Sequence, residues 1–181
     1  MDYERQYQEA CNRVTDMYEH LPWISELASE CSHATELGVG WAESTRAFLR
    51  HDIELHCYEI SPREQPGREH TDSISRFFED AKQGRNVTLH IASTLEVDID
   101  PTDIMLVDSL HTYDQVKGEL SRHADKVRKY ILFHDTTLYA DNGEGGGGIW
   151  PAIQEFLDSH SEWELVERRT NCNGMTLIRR V

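Results

Sequence analysis

The chain has 181 residues, 38 % apolar and 28 % charged, with 33 acidic against 18 basic side chains and a net charge of −15. That length suits about one domain, 1–181, and the composition excludes a disordered chain. Phosphate backbones are bound by basic stripes, and none is visible here, so no nucleic-acid or anionic-membrane partner is expected.

No apolar run approaches the ~18 residues that span a bilayer, and Met1 to Arg13 lacks the apolar core of a signal peptide. Cys11, Cys31, Cys57 and Cys172 are scattered, with no CxxC pair. They read as reduced thiols, which makes a cytoplasmic setting the expectation.

Tyr3, Tyr7, Ala10, Cys11, Val14, Met17, Tyr18 and Leu21 recur at three- and four-residue steps. This predicts a helix that Pro22 interrupts, followed by a second short helix carrying Trp23, Ile24, Leu27 and Ala28. Residues 1–30 are thus a helical segment ahead of an α/β core, 31–181. His33 to Leu37 reads as a strand stopped by Gly38, and Ser44 to Arg50 as a helix with Thr45, Phe48 and Leu49 inward. Ile53 to Ile60 is the second strand, and Pro62, Pro66 and Gly67 mark a loop. A helix with Ile74, Phe77, Phe78 and Ala81 on one face stops at Gly84, and Val87 to Ile91 is the third strand.

Ile104 to Val107 is nearly all apolar, as a strand buried on both faces should be. Thr112 and Gln115 form a capping box for a helix whose core side carries Val116, Leu120, Ala124 and Val127. Tyr130 to Phe133 is the fifth strand. A glycine-rich loop, Thr136 to Gly148, leads to a helix that Pro151 opens. Trp163 to Arg169 and Met175 to Val181 flank the turn residues Asn171, Asn173 and Gly174, which implies an antiparallel hairpin. The alternation predicts a doubly wound, mostly parallel seven-stranded sheet with a C-terminal hairpin.

Ligands of such sheets bind beyond the carboxyl ends of the strands. Those ends carry Glu36-Leu37-Gly38-Val39-Gly40, Glu59, Asp108 and His134-Asp135, an acid at each. Glu43 stands where a dinucleotide fingerprint has its third glycine, which disfavours a pyrophosphate. A cofactor with a ribose, a positive centre and no phosphate fits better. Glu59 follows Glu36 at about the spacing from which an acid reaches a ribose hydroxyl pair.

These motifs resemble those of class I S-adenosylmethionine-dependent methyltransferases, a Rossmann-like fold. The stretches Val107 to Tyr113, Phe133 to Thr136 and Gly147 to Trp150 are similar to the cephalosporin-hydroxylase-like subgroup, which includes sugar O-methyltransferases. The likeness covers about residues 30 to 181. It implies that Glu36, Gly38 and Gly40 surround the methionine part and ribose, that Glu59 binds the ribose hydroxyls, and that Ser93 lies beside the adenine. Asp108 would serve the cofactor and, with His134 and Asp135, a magnesium ion. Magnesium prefers oxygen ligands, so His134 favours a softer ion such as manganese.

The position of His111 implies the general base. A neighbouring carboxylate would raise its pKa and a divalent cation would lower it. The expected partner is a small hydroxylated acceptor, sugar or natural product, with a homo-oligomer left open. His20, His51, His70, His123 and His160 are read as surface residues. The run Gly143 to Gly148 is either slack or an active-site lid, in which case Tyr139 and Trp150 border the acceptor pocket. Two other readings stay open: a nicotinamide-dependent oxidoreductase, and a non-catalytic methyltransferase-like binding module.

Overall fold

Strands β1 (His33–Leu37), β2 (Glu54–Glu59), β3 (Val87–Ile91), β4 (Thr102–Val107) and β5 (Val127–His134) run parallel. This is a computed structural model, and it describes residues 1–61 and 74–181. The loop expected at Pro62, Pro66 and Gly67 lies outside the described residues, as does His70. With β8 (Trp163–Arg169) and β9 (Met175–Arg180) the described strands form a seven-stranded sheet of order β3-β2-β1-β4-β5-β9-β8. β9 is antiparallel to both β5 and β8, as the hairpin reading expects. Every residue of β4 is buried, which explains its unbroken apolar sequence between helical layers on both faces. Strand order reverses beside β1 and β4, the place where such sheets open a crevice.

One face is covered by α1 (Tyr3–Cys11), α2 (Leu21–Ala28), α3 (Glu43–Leu49) and α4 (Ile74–Ala81), packed around Ile24, Phe48, Leu55 and Leu106. The other carries α5 (Tyr113–His123) and α6 (Ile149–Ser159), packed around Met105, Leu120, Ile131 and Ile153. Among the described residues no helix is long and apolar enough to cross a membrane.

The N-terminal segment departs from its pattern. α1 stops at Cys11, Val14 is exposed, and Pro22 lies in the first turn of α2 rather than breaking a longer helix. A proline costs nothing there, because a first-turn N–H has no helical acceptor. Pro151 likewise sits third in α6, not first. Val127 opens β5 instead of closing α5. The capping box is half made: the Thr112 hydroxyl accepts from the Gln115 N–H at 3.3 Å, but the Gln115 amide donates to Thr94 and Glu119. His20 and His123 are fully buried, not superficial, each with Nε2 on a backbone carbonyl, of Asn171 and Thr94 respectively.

Asp103, buried in β4 at the far end from the crevice, ties the sheet's lower edge together. It accepts from the Ser32 and His33 N–H groups at 2.8 and 3.2 Å and from Arg128 at 2.8 Å. Burial alone would raise its pKa, but these donors hold it well below the usual carboxylate range. A depressed pKa stabilises the fold above the unfolded value, about 3.9 for Asp, and that contribution is lost as pH falls through the folded value. Asp103→Asn is therefore expected to lower unfolding stability at pH 7 by about 1–3 kcal/mol, the cost of leaving such donors unpaired. In urea titrations the gap to wild type should narrow below about pH 4; a gap independent of pH would contradict this.

Candidate active site

The crevice holds a cavity of about 510 Å³. β1 turns away at Gly38, whose φ is +86° and where a Cβ would stand 2.0 Å from the Asp108 carbonyl oxygen. Any side chain here would collide with that carbonyl, so only glycine lets the two strand ends lie this close. The Asp108 N–H donates to Leu37 O at 2.8 Å, and the Gly38 N–H to Tyr58 O at 2.9 Å, lacing three strand ends together. Glu59 Oε2 accepts from the N–H groups of Val39 (3.1 Å) and Gly40 (3.2 Å), so the glycine turn aims this carboxylate. Gly38, Gly40, Glu59, Ser93, Asp108, His111, His134 and Asp135 all line the cavity.

Glu36 does not. It is fully buried, and its carboxylate accepts from the hydroxyls of Ser44 and, at 2.6 Å, Thr45, with the Cys57 thiol at 3.1 Å. Burial pushes its carboxyl up to about 7, against the pull of these donors. Expected at the cofactor, Glu36 instead braces the start of α3 from behind the glycine turn.

At the other wall His111 Nε2 lies 2.8 Å from Asp135 Oδ2 and 3.4 Å from Asp108 Oδ1, with Nδ1 3.3 Å from Glu144. Tyr139 stacks on its ring at 4.6 Å. Burial would lower the His111 pKa, but the two aspartates prevail and raise it to about 10. His134 is buried, its Nε2 facing the carbonyls of Asp16 (3.0 Å) and Cys172 (3.1 Å). Carbonyls only accept, so that nitrogen keeps its proton. Nδ1 stands 3.2 Å from Asp108 Oδ1, and the acids lift His134 to about 9 in spite of burial. Burial would raise Asp108, but the two imidazoles hold it at about 2.

One oxygen each of Asp108 and Asp135 and one nitrogen of His111 lie within 4.8 Å of one another. The set expected from sequence had His134 in place of His111. Asp135 has φ +59°, a left-handed conformation that Asp tolerates; its Oδ1 is buried with no hydrogen-bond partner. Two carboxylates, one with an orphaned oxygen, and an imidazole fit a divalent cation of intermediate softness better than magnesium.

The loop after β5 is not slack. It forms a ribbon of β6 (Asn142–Gly143) and β7 (Gly146–Gly147), pinned by the Glu144 N–H on His111 O at 3.0 Å. Tyr139 borders the site through its stacking on His111, but Trp150 lies elsewhere, under the Arg168 guanidinium at 3.9 Å. Asp16, Met17, Trp41 and Glu43 also line the cavity. In sequence Glu43 marks only the missing glycine, and the helical spacing that includes Met17 gives no sign that it or Asp16 reaches the cavity. No lysine or arginine lines the cavity among the described residues.

No family model and no curated protein matches the sequence. Solved structures do match. The N-methyltransferase NodS from Bradyrhizobium japonicum WM9 superimposes with a TM-score of 0.65 at 15 % identity, over 91 % of this chain and 96 % of that one. The Podospora anserina methyltransferase PaMTH1, solved with S-adenosylhomocysteine, gives 0.65 at 15 %, over 99 % and 87 %. An O-methyltransferase family protein from Burkholderia thailandensis gives 0.62 at 13 %, over 91 % and 55 %. The fold is the Rossmann-like fold of S-adenosylmethionine-dependent methyltransferases.

Proposed function

We propose that this protein is an S-adenosylmethionine-dependent methyltransferase that methylates an oxygen of a small hydroxylated acceptor. One observation carries the reading: the cavity sits at the carboxyl ends of β1, β2, β4 and β5, closed by a glycine turn and walled by carboxylates. Carboxylates suit a ribose diol and a sulfonium cation, and repel the pyrophosphate of a nicotinamide cofactor. Glu59, aimed by two backbone N–H groups, accepts from the ribose hydroxyls. Ser93 lies on the adenine side and Asp108 at the junction of cofactor and acceptor. Bound S-adenosylmethionine supplies the activated methyl group, and the protein aligns the acceptor oxygen with it.

His111, over the Asp108–Asp135 wall, is the residue placed to take the acceptor's proton. Between the two carboxylates it stays protonated up to about pH 10 and cannot do so. Asp108 and Asp135 would hold a divalent cation beside His111, and its charge would lower the pKa of a bound hydroxyl. The same charge would offset the carboxylates' pull on His111.

Manganese at millimolar concentration should raise the melting temperature of the wild type by mass action, and chelator should abolish methyl transfer in a screen of hydroxylated sugars and catechols. Asp135→Asn should lose the manganese-dependent shift and keep S-adenosylmethionine binding. Full activity in chelator would reduce the acids to cofactor binding or folding. An amine acceptor is the second reading, favoured by the acidic lining; transfer to amines and not to hydroxyls would establish it.

A further inference from the structure

The connection from β3 to β4, residues 92–101, forms no helix. It leaves a ladder of imidazoles on the sheet face that such a helix would cover. The parallel register sets His33 beside Glu54 and Tyr58 beside His90, with His56 between them on β2. The His90 ring stacks on Tyr58 at 4.5 Å and on His56 at 5.2 Å. Glu54 lies 3.1 Å from His56 Nε2 through one oxygen and 3.2 Å from His33 Nε2 through the other.

This carboxylate fixes the tautomer of His56. A neutral His56 donates its Nε2–H to Glu54 and presents a lone pair at Nδ1, 3.1 Å from His90 Nε2. Two imidazole nitrogens each about 2.0–2.1 Å from a tetrahedral ion stand about 3.3 Å apart, so the pair already has the separation of neighbouring ligands. A carboxylate on the far nitrogen of a histidine is the usual support of a metal-bound imidazole. Asp100 offers a further carboxylate: its Oδ2 is 4.0 Å from His56 Nδ1, on a side chain 81 % exposed, and it would turn inward to become a third donor.

We propose that His56, His90 and Asp100, backed by Glu54, form a second metal site, selective for zinc and similar imidazole-binding divalent ions. Binding takes the place of the proton between the two imidazoles, which a neutral His90 then carries on its other ring nitrogen. The ion would clip the 92–101 connection to β2 and β3. That connection carries Ser93 and Thr94 of the cavity wall, whereas none of the four site residues lines the cavity. The site does not depend on the methyltransferase reading.

Zinc alone, titrated into the metal-free protein by calorimetry at pH 7.5, separates this site from the crevice cluster. The Asp135→Asn protein should retain one zinc equivalent, and His90→Gln in that background should abolish it. Glu54→Gln should weaken it by about 10- to 100-fold, as loss of a supporting carboxylate does. Asp100→Asn, a change on an exposed side chain that leaves the fold alone, should weaken it in the same direction. No zinc binding by Asp135→Asn, or binding that His90→Gln and Asp100→Asn leave unchanged, would overturn the proposal.

Discussion

His111→Ala should lower methyl transfer by about 10²- to 10⁴-fold, the usual worth of a positioned acid–base group, with little change in cofactor affinity. The loss should fall on kcat more than on KM, because His111 sits beside Asp108 and Asp135 and not on the Glu59 side. Its partners sharpen the expectation. Without a cation the aspartates keep His111 protonated up to about 10, which is a second reason for chelator to abolish turnover near neutral pH. Near-wild-type turnover of the mutant from pH 6 to pH 9 would leave His111 as an ion-pair partner of the two aspartates and nothing more.

Gly38→Ala is expected to cost stability and cofactor binding together. The new Cβ would meet the Asp108 carbonyl at 2.0 Å and Ser109 Cα at 2.9 Å, both backbone atoms, at a φ of +86°. The left-handed conformation contributes about 1–2 kcal/mol and the forced backbone shift about 1–3 kcal/mol. Denaturant unfolding should therefore show a loss of several kcal/mol. Gly40 provides the contrast: its φ is +53°, but nothing lies within 4 Å of a Cβ there, so Gly40→Ala should cost only the conformational part, about 1–2 kcal/mol. Equal losses at the two positions would mean that close approach to Asp108 is not what Gly38 provides.

The sheet was legible because strands buried on both faces must be apolar throughout. β4 and β5 stand out for that reason, and the turn residues Asn171 to Gly174 reveal the hairpin. The N-terminal segment was not, since Val14 and Met17 keep helical spacing although Met17 is buried and Val14 exposed. Pro22 reads as a breaker until its place in the first turn is known.

At the site, strand-end logic found Gly38, Glu59, Asp108 and Asp135, whose positions follow from where strands stop. It could not find that Glu36 is buried behind the turn and held there by hydrogen bonds, because its donors Ser44, Thr45 and Cys57 come from α3 and β2 and only packing unites them. Nor could it tell that both imidazoles meet the two acids, His111 through Nε2 and His134 through Nδ1, at 3.2 Å from Asp108 and 3.6 Å from Asp135. That meeting rests on packing, with two backbone carbonyls holding the far side of the His134 ring.

Calorimetric titration of S-adenosylmethionine into wild type and Glu59→Ala, with NAD as the rival ligand, tests the central claim most directly. Each charged hydrogen bond lost is worth about 1.5–3 kcal/mol before water compensates, which is about 10- to 150-fold in affinity. The account predicts one S-adenosylmethionine per chain, binding weakened by that factor in Glu59→Ala, and no binding of NAD. Tight NAD binding, or an S-adenosylmethionine affinity that Glu59→Ala leaves unchanged, would contradict it.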